Sequence, residues 1–132
     1  MANSAEQQHN SKIDQEHIVL VVEDEIVVRS VVSAYLRDSG FSVIEAANAN
    51  EALAILGSGT TVDIVFTDIE MPGDMNGIAL TRWLSQHHKD IPVLVTSGNK
   101  NLSGDISERF FLLKPYLFEI LEDRVRDLLR DR

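Results

Sequence analysis

Residues 64–72 read IVFTDIEMP. A short apolar run, β-branched and aromatic, leads into Asp68, and Met71-Pro72 stop the segment. Such a run with turn signals close behind reads as a buried strand. Asp68 then stands where that strand leaves the core. A carboxylate in that place can be a ligand or a nucleophile. It can equally be a strand-end or capping Asp, common in any α/β protein, and this stretch alone favours that simpler reading. The ends of three other strands change the balance.

The chain has 132 residues, the size of one domain, and its 44% hydrophobic content suffices for a core at that length. The formal net charge of -9 argues against nonspecific binding to nucleic acid or anionic membranes, which need excess Lys and Arg. It suits a site that gathers carboxylates around a cation. With no cysteine, disulfides, thiolate metal sites and thiol catalysis are excluded. No apolar run is long enough to span a bilayer. Residues 1–16 are polar and lack the apolar core of a secretion signal. They are expected to form a flexible tail ahead of one folded unit, residues 17–132, in a cytoplasmic protein. His9 and His17 have no partner at metal-ligand spacing and are expected to be solvated.

Ile18 to Val22, IVLVV, is apolar throughout, as a central parallel strand covered on both faces must be. Glu23-Asp24-Glu25 follow at once. They read either as a solvated turn opening the next helix, whose dipole favours acids there, or as a cation site at a strand end. Residues 26–38 carry apolar side chains at helical spacing and Gly40 stops them. Ser42 to Ile44 reads as a short strand. Asn48 with Glu51 makes a capping box ahead of a helix over 49–56. Asp63 opens the third strand and Asp68 ends it. A loop over 73–77 leads to a third helix with Ile78, Leu80, Trp83 and Leu84 as its inner face. His87 and His88 are neighbours at its end, so they point apart and suit dipole partners or surface residues better than a metal pair. Pro92 to Thr96 reads as the fourth strand, Phe110 to Leu113 as the fifth, and 116–130 as a last amphipathic helix. Between the last two strands, 100–108 is polar and holds at most one short helix. Strand and helix alternation predicts a parallel sheet with helices on both faces.

In such a sheet the carboxyl ends of the strands share one edge, where ligands bind. That edge would hold Glu23 and Asp24, Asp68, Ser97 and Lys114. Each alone is weak evidence, but three carboxylates, a hydroxyl and an ammonium together suggest phosphoryl transfer. Mg²⁺ takes oxygen ligands and keeps several waters, so two or three carboxylates suit it. Lys114 adds positive charge, Ser97 can donate to a phosphoryl oxygen, and Asp68, alone at a central strand end, is the best nucleophile.

These residues lie in VVEDE at 21–25, FTDIEMPGDMNG at 66–77, PVLVTSG at 92–98 and FLLKPY at 111–116. In that order and spacing they resemble the receiver domain of two-component response regulators, from Ile18 to about Leu129. The likeness runs to stand-alone bacterial receivers in which MPG is followed by an extra residue before the next turn. The resemblance implies a flavodoxin-like, doubly wound five-stranded parallel sheet of order 2-1-3-4-5. It implies Asp68 as phosphoacceptor, with Glu23, Asp24, Asp68 and the backbone carbonyl of Glu70 as the Mg²⁺ ligands. It further implies Ser97 as the switch hydroxyl, with Thr96 turned to the other side of the strand, and Phe111 as the switch aromatic, a role compatible with an ordinary core Phe. Lys114 would bind phosphate, with a cis bond to Pro115, and Glu70 and Asn99 would tune dephosphorylation. The partners implied are a histidine kinase or phosphotransfer protein and a downstream protein, with no nucleic acid and no membrane.

One departure stands out. Receivers usually carry a full fourth helix between strands four and five, and here it is expected to be short, irregular or absent, with a changed partner surface or greater mobility. The chain is expected to be a switch without its own output domain, signalling by protein contacts or acting as a phosphate sink, or else a fragment of a hybrid kinase. It is not expected to be an enzyme with a separate substrate. A flavin or nucleotide binder on the same fold lacks support, because acids stand where a Gly-rich phosphate loop would follow strand one. A hydrolase using Asp68 would need a cap for which no residues are spare. A degenerate receiver is disfavoured because the key side chains are all present.

Overall fold

The computed structural model describes residues 17–132; the expected flexible tail and His9 lie outside the described residues. The elements are β1 (Ile18–Val22), α1 (Ile26–Asp38), β2 (Ser42–Ala46), α2 (Ala49–Gly57), β3 (Ile64–Asp68), α3 (Gly77–His87), β4 (Val93–Ser97), β5 (Phe111–Leu113) and α4 (Phe118–Arg130). All strand pairings are parallel, in the order β2-β1-β3-β4-β5. The fold is the flavodoxin-like one expected.

Burial explains why the strands are apolar at nearly every position. On one face, Leu20, Val22, Val65, Val93 and Val95 pack with Ala52 and Leu56 of α2 and Leu80 and Leu84 of α3. On the other, Val19, Val21, Ile64, Phe66 and Leu94 meet Val32 and Leu36 of α1 and Leu121, Val125 and Leu128 of α4. Every residue of β3 and β4 is buried. A sheet with two covered faces leaves no polar side for alternation to mark.

Local signals set the ends. Gly40, at φ 105°, closes α1 in a Schellman arrangement, with Gly40 N donating to the Arg37 carbonyl and Phe41 N to that of Leu36. Asn48 Oδ1 accepts from Glu51 N at 2.8 Å, while Glu51 Oε1 reaches back to Ala47 N at 2.7 Å. The capping box therefore forms, one residue wider than usual.

Several boundaries move from their expected places. β2 runs two residues further, to Ala46, because it pairs with β1 along its whole length. β3 starts at Ile64, since Asp63 turns its side chain to accept from Ile18 N at 2.7 Å. β4 begins after Pro92 and includes Ser97. Phe110 belongs to a 3-10 turn, and α4 begins at Phe118 because Leu117 is extended as its N-cap. Between β4 and β5 there are only two 3-10 turns, Lys100–Ser103 and Glu108–Phe110, the short and irregular form expected of the helix there. Asn, Ser, Gly and Asp dominate there, and their side chains bond the local backbone in competition with a helix. The apolar stripe of α1 is also wider than its buried face: Ile26, Val27 and Val31 are exposed.

No helix among the described residues is long and apolar enough to cross a membrane. Trp83 is half-buried against the core, and His87 stacks on it with centroids 4.5 Å apart while its Nδ1 meets the Trp83 carbonyl. His87 and His88 thus lie at a helix end, as their spacing suggested.

Candidate functional site

The carboxyl ends of β1, β3, β4 and β5 bring the sequence-selected residues to one edge. Asp68 closes β3 and is only 6% exposed. Its Oδ1 accepts from Glu70 N at 3.0 Å and its Oδ2 from Lys114 Nζ at 2.5 Å. Lys114 Nζ also lies 4.0 Å from Glu23 Oε1. Glu23 is buried, accepting from Glu25 N through Oε2 at 3.3 Å, whereas Asp24 beside it is exposed. The peptide bond from Lys114 to Pro115 is cis.

Burial and neighbouring charge together set the protonation of these groups. Burial pushes the Glu23 carboxyl up to about 7, helped by its hydrogen bond with Asp24 and the charge of Asp68, against Glu25 N and Lys114. Burial works against charge on Lys114, but the hydrogen bond and charge of Asp68, with Glu23 and Glu70 beyond, outweigh it and raise the ammonium above the ordinary lysine value. Tyr116 is pushed up to about 12, first by burial and then by Glu23 and Asp68. Two buried carboxyls, Glu23 and Asp68, thus share the one ammonium of Lys114.

That donor set fits Mg²⁺. The groups are hard oxygens, and a cation would favour the ionised carboxylates that burial disfavours here. Among the described residues no three acidic or histidine side chains are gathered closely enough to coordinate an ion as a set. An ion that keeps several waters can still be shared by Glu23, Asp24 and Asp68, part of the set reaching it through water.

Ser97 and Thr96 point apart, as strand alternation requires. Thr96 Oγ1 donates to the Leu112 carbonyl at 2.6 Å. Ser97 Oγ, fully buried, donates to Glu70 Oε1 at 2.8 Å and accepts from Asn99 N at 3.0 Å. The expected residues Glu70 and Asn99 therefore meet through Ser97. Phe111 is buried in the core layer that holds Val93 and Val95.

Three neighbours were given no role by the sequence. Arg29, in α1, donates from Nη1 to the Glu23 carbonyl at 2.8 Å, pinning the turn that carries the acids. Tyr116 packs edge-on to Phe66 and lies within the field of Glu23 and Asp68. Gly77 opens α3 directly behind Asp68. A Cβ there would overlap the Asp68 carbonyl oxygen and come within 2.8 Å of Ile69 Cα. The only sequence hint is a glycine just after the N-cap Asn76, where a helix former would otherwise serve.

The model for the response regulator receiver domain matches residues 19–125. The chain belongs to that family. Sensor kinase CckA of Brucella abortus is 39% identical over 118 residues, which are 84% of this chain and 12% of that kinase. The first three curated relatives are longer proteins, of which the chain spans between 12% and 49%. Among solved structures, the receiver domain from hybrid histidine kinase CckA is 35% identical, with a TM-score of 0.71 over 85% of this chain and 98% of that one. Response regulator TrrA from Thermotoga maritima, solved in complex with Mg²⁺-BeF, is 29% identical, with a TM-score of 0.76 over 85% of this chain and 98% of that one. This receiver is thus a module of two-component signalling.

Proposed function

We propose that residues 17–132 form a phosphorylation switch in which Asp68 accepts a phosphoryl group from a phosphohistidine on a histidine kinase or phosphotransfer protein. The observation that carries this reading is the Asp68 carboxylate, buried at a strand end between Glu70 N–H and the Lys114 ammonium. An Asp68 oxygen attacks phosphorus. An O–P bond forms as the histidine N–P bond breaks, and the imidazole leaves with that electron pair. Lys114 stands where it can follow the charge on the transferred oxygens. Glu23, Asp24, Asp68 and the Glu70 carbonyl are the groups that would hold Mg²⁺, which when bound supplies further positive charge to the phosphoryl oxygens. Ser97 then donates to the new oxyanion and Phe111 responds as the switch aromatic, while Glu70 and Asn99 tune how long the group persists. Exposed Ile26 and Val27 beside the acids and Leu117 beyond Lys114 suit a donor protein that must reach the same edge. The signal leaves through protein contacts, or the domain drains phosphate from its donor.

Incubation with acetyl phosphate and Mg²⁺ should add a single phosphoryl group by intact mass. Asp68→Ala, or omission of Mg²⁺, should abolish it. An unchanged mass under conditions that modify another receiver, with no amide shifts near Ser97 and Phe111 on adding beryllofluoride, would overturn the reading.

A further inference from the structure

The Ser97 hydroxyl has one proton to give, and Glu70 takes it. Ser97 Oγ donates to Glu70 Oε1 at 2.8 Å, and its acceptor side is filled by Asn99 N at 3.0 Å. The hydroxyl is fully buried, so no water competes for it. Glu70 is reached from Asp68 in two residues, and its own N–H donates to Asp68 Oδ1. One residue therefore orients the Asp68 carboxylate with its backbone and captures the Ser97 proton with its side chain. Its carboxylate also belongs to the negative field that keeps Lys114 charged.

An oxyanion attached to Asp68 would need that same proton. We infer that the Glu70 carboxylate is a built-in competitor for the Ser97 hydroxyl, a positioning residue that holds Ser97 away from duty until an anion on Asp68 displaces it. The inference rests on the proposed phosphorylation of Asp68. It adds that occupancy of Asp68 is opposed by a specific exchange: one charge-assisted hydrogen bond must break before its replacement forms. Because Asn99 N is tied to the same oxygen, a turn of the hydroxyl toward Asp68 acts directly on the start of the segment that follows Ser97. Glu70 itself is exposed, so its side chain can swing into solvent when displaced.

The test is a double-mutant cycle in beryllofluoride affinity with Mg²⁺ present, read from amide shifts at saturation. Glu70→Ala should bind roughly tenfold tighter than the unaltered chain, the scale of one lost charge-assisted bond. Ser97→Ala should bind more weakly. In the Ser97→Ala background, Glu70→Ala should bring no gain, because the competition has lost its object. Simple charge repulsion between Glu70 and the bound anion would give the same gain in both backgrounds, and that result overturns the inference. So does an unchanged affinity for Glu70→Ala. Failure of every variant, and of the unaltered chain, to take the fluoride would instead remove the phosphorylation reading and this inference with it.

Discussion

Two crossovers flank the Asp68 edge on the same face of the sheet, and they are built differently. The one from β3 to β4 carries α3, capped by Asn76 Oδ1 on Ala79 N at 3.0 Å, with Leu80 and Leu84 fully buried. The one from β4 to β5 has two 3-10 turns in which no residue is buried. Many of its bonds are local and polar: Asn101 N to Asn99 Oδ1 at 3.0 Å, Ser103 Oγ to the Lys100 carbonyl at 2.8 Å, and Arg109 N to Ser107 Oγ at 3.4 Å, while Ile106 against the core and Arg124 Nη1 on the Glu108 carbonyl at 3.0 Å tie it to the rest. Where a helix would pack, a cleft of about 420 Å³ opens between Thr81 and Ser85 of α3, Val93 and Val95 of β4, and Ile106 and Phe110. Apolar burial ties α3 into the cooperative unit, whereas exposed local bonds exchange with water at little net cost. Asp68 therefore leads into a crossover whose helix is packed by apolar burial, whereas the segment after Ser97 touches the rest of the fold mainly through Ile106, Phe110 and the Arg124 and Arg109 contacts.

Two glycines break this comparison most sharply. Alanine at Gly77 drives a methyl group into the Asp68 carbonyl, with backbone on both sides of the collision. Overpacking of that kind costs about 3 kcal/mol or more. Gly77→Ala should lower the urea midpoint steeply and abolish the acetyl phosphate adduct, since the carboxylate moves with its peptide. Gly104 lies in the second crossover at φ 54° with open space where a Cβ would sit. Gly104→Ala should cost only the backbone strain of φ 54° and ψ -123°, about 1–3 kcal/mol, and leave the adduct intact. Loss of the adduct in both variants would mean that the two crossovers are equally coupled to the site.

Side-chain truncation should separate them again on a smaller scale. Leu84 is fully buried between α3 and the sheet, and Leu84→Ala is expected to cost about 3 kcal/mol in chemical denaturation. Leu102, in the first 3-10 turn, is 39% exposed, and Leu102→Ala is expected to change stability by less than about 0.5 kcal/mol. Amide exchange across 100–108 should stay faster than across α3 in both variants. A loss above 1 kcal/mol for Leu102→Ala would place that turn in the main cooperative unit.

Much of this was legible in the sequence because it is encoded in contiguous pattern. Strands covered on both faces must be apolar at every position, so IVLVV and PVLVT announce the parallel sheet. The residues at strand ends follow from topology alone, which is why Glu23, Asp68, Ser97 and Lys114 could be brought to one edge without coordinates. The lack of a regular helix in the second crossover was also readable, because Asn, Ser, Gly and Asp leave no continuous apolar face. What escaped depends on side chains meeting across long separations. Ser97 and Glu70 are 27 residues apart, and nothing local says that one captures the other. The need for Gly77 appears only once the loop after Asp68 has folded back. Apolar periodicity marked α1 but could not tell buried Val32 from exposed Val31, since both carry the same signal.

The same limit applies to the polar seam between α1 and α4, which tests whether polar bonds count for more when laid over a packed helix pair. Glu122 Oε1 accepts from Tyr35 Oη at 2.9 Å and Ser39 Oγ at 3.2 Å, and Oε2 accepts from Arg126 Nε at 3.1 Å. Burial alone would raise this carboxyl, but those donors and the Arg126 charge outweigh it and hold it below the ordinary glutamate range. A depressed folded value means stability that is full above the unfolded pKa and is lost as pH falls through the folded one. Glu122→Gln should therefore cost about 1 kcal/mol near neutrality, and the gap from the unaltered chain should close below about pH 4. Urea titrations at pH 7 and pH 3 provide the check. A gap that persists at pH 3 would assign the seam's contribution to shape rather than charge. A gap near zero at both values would make this seam no stronger than the polar bonds after Ser97, so that apolar burial alone distinguishes the two sides of the molecule.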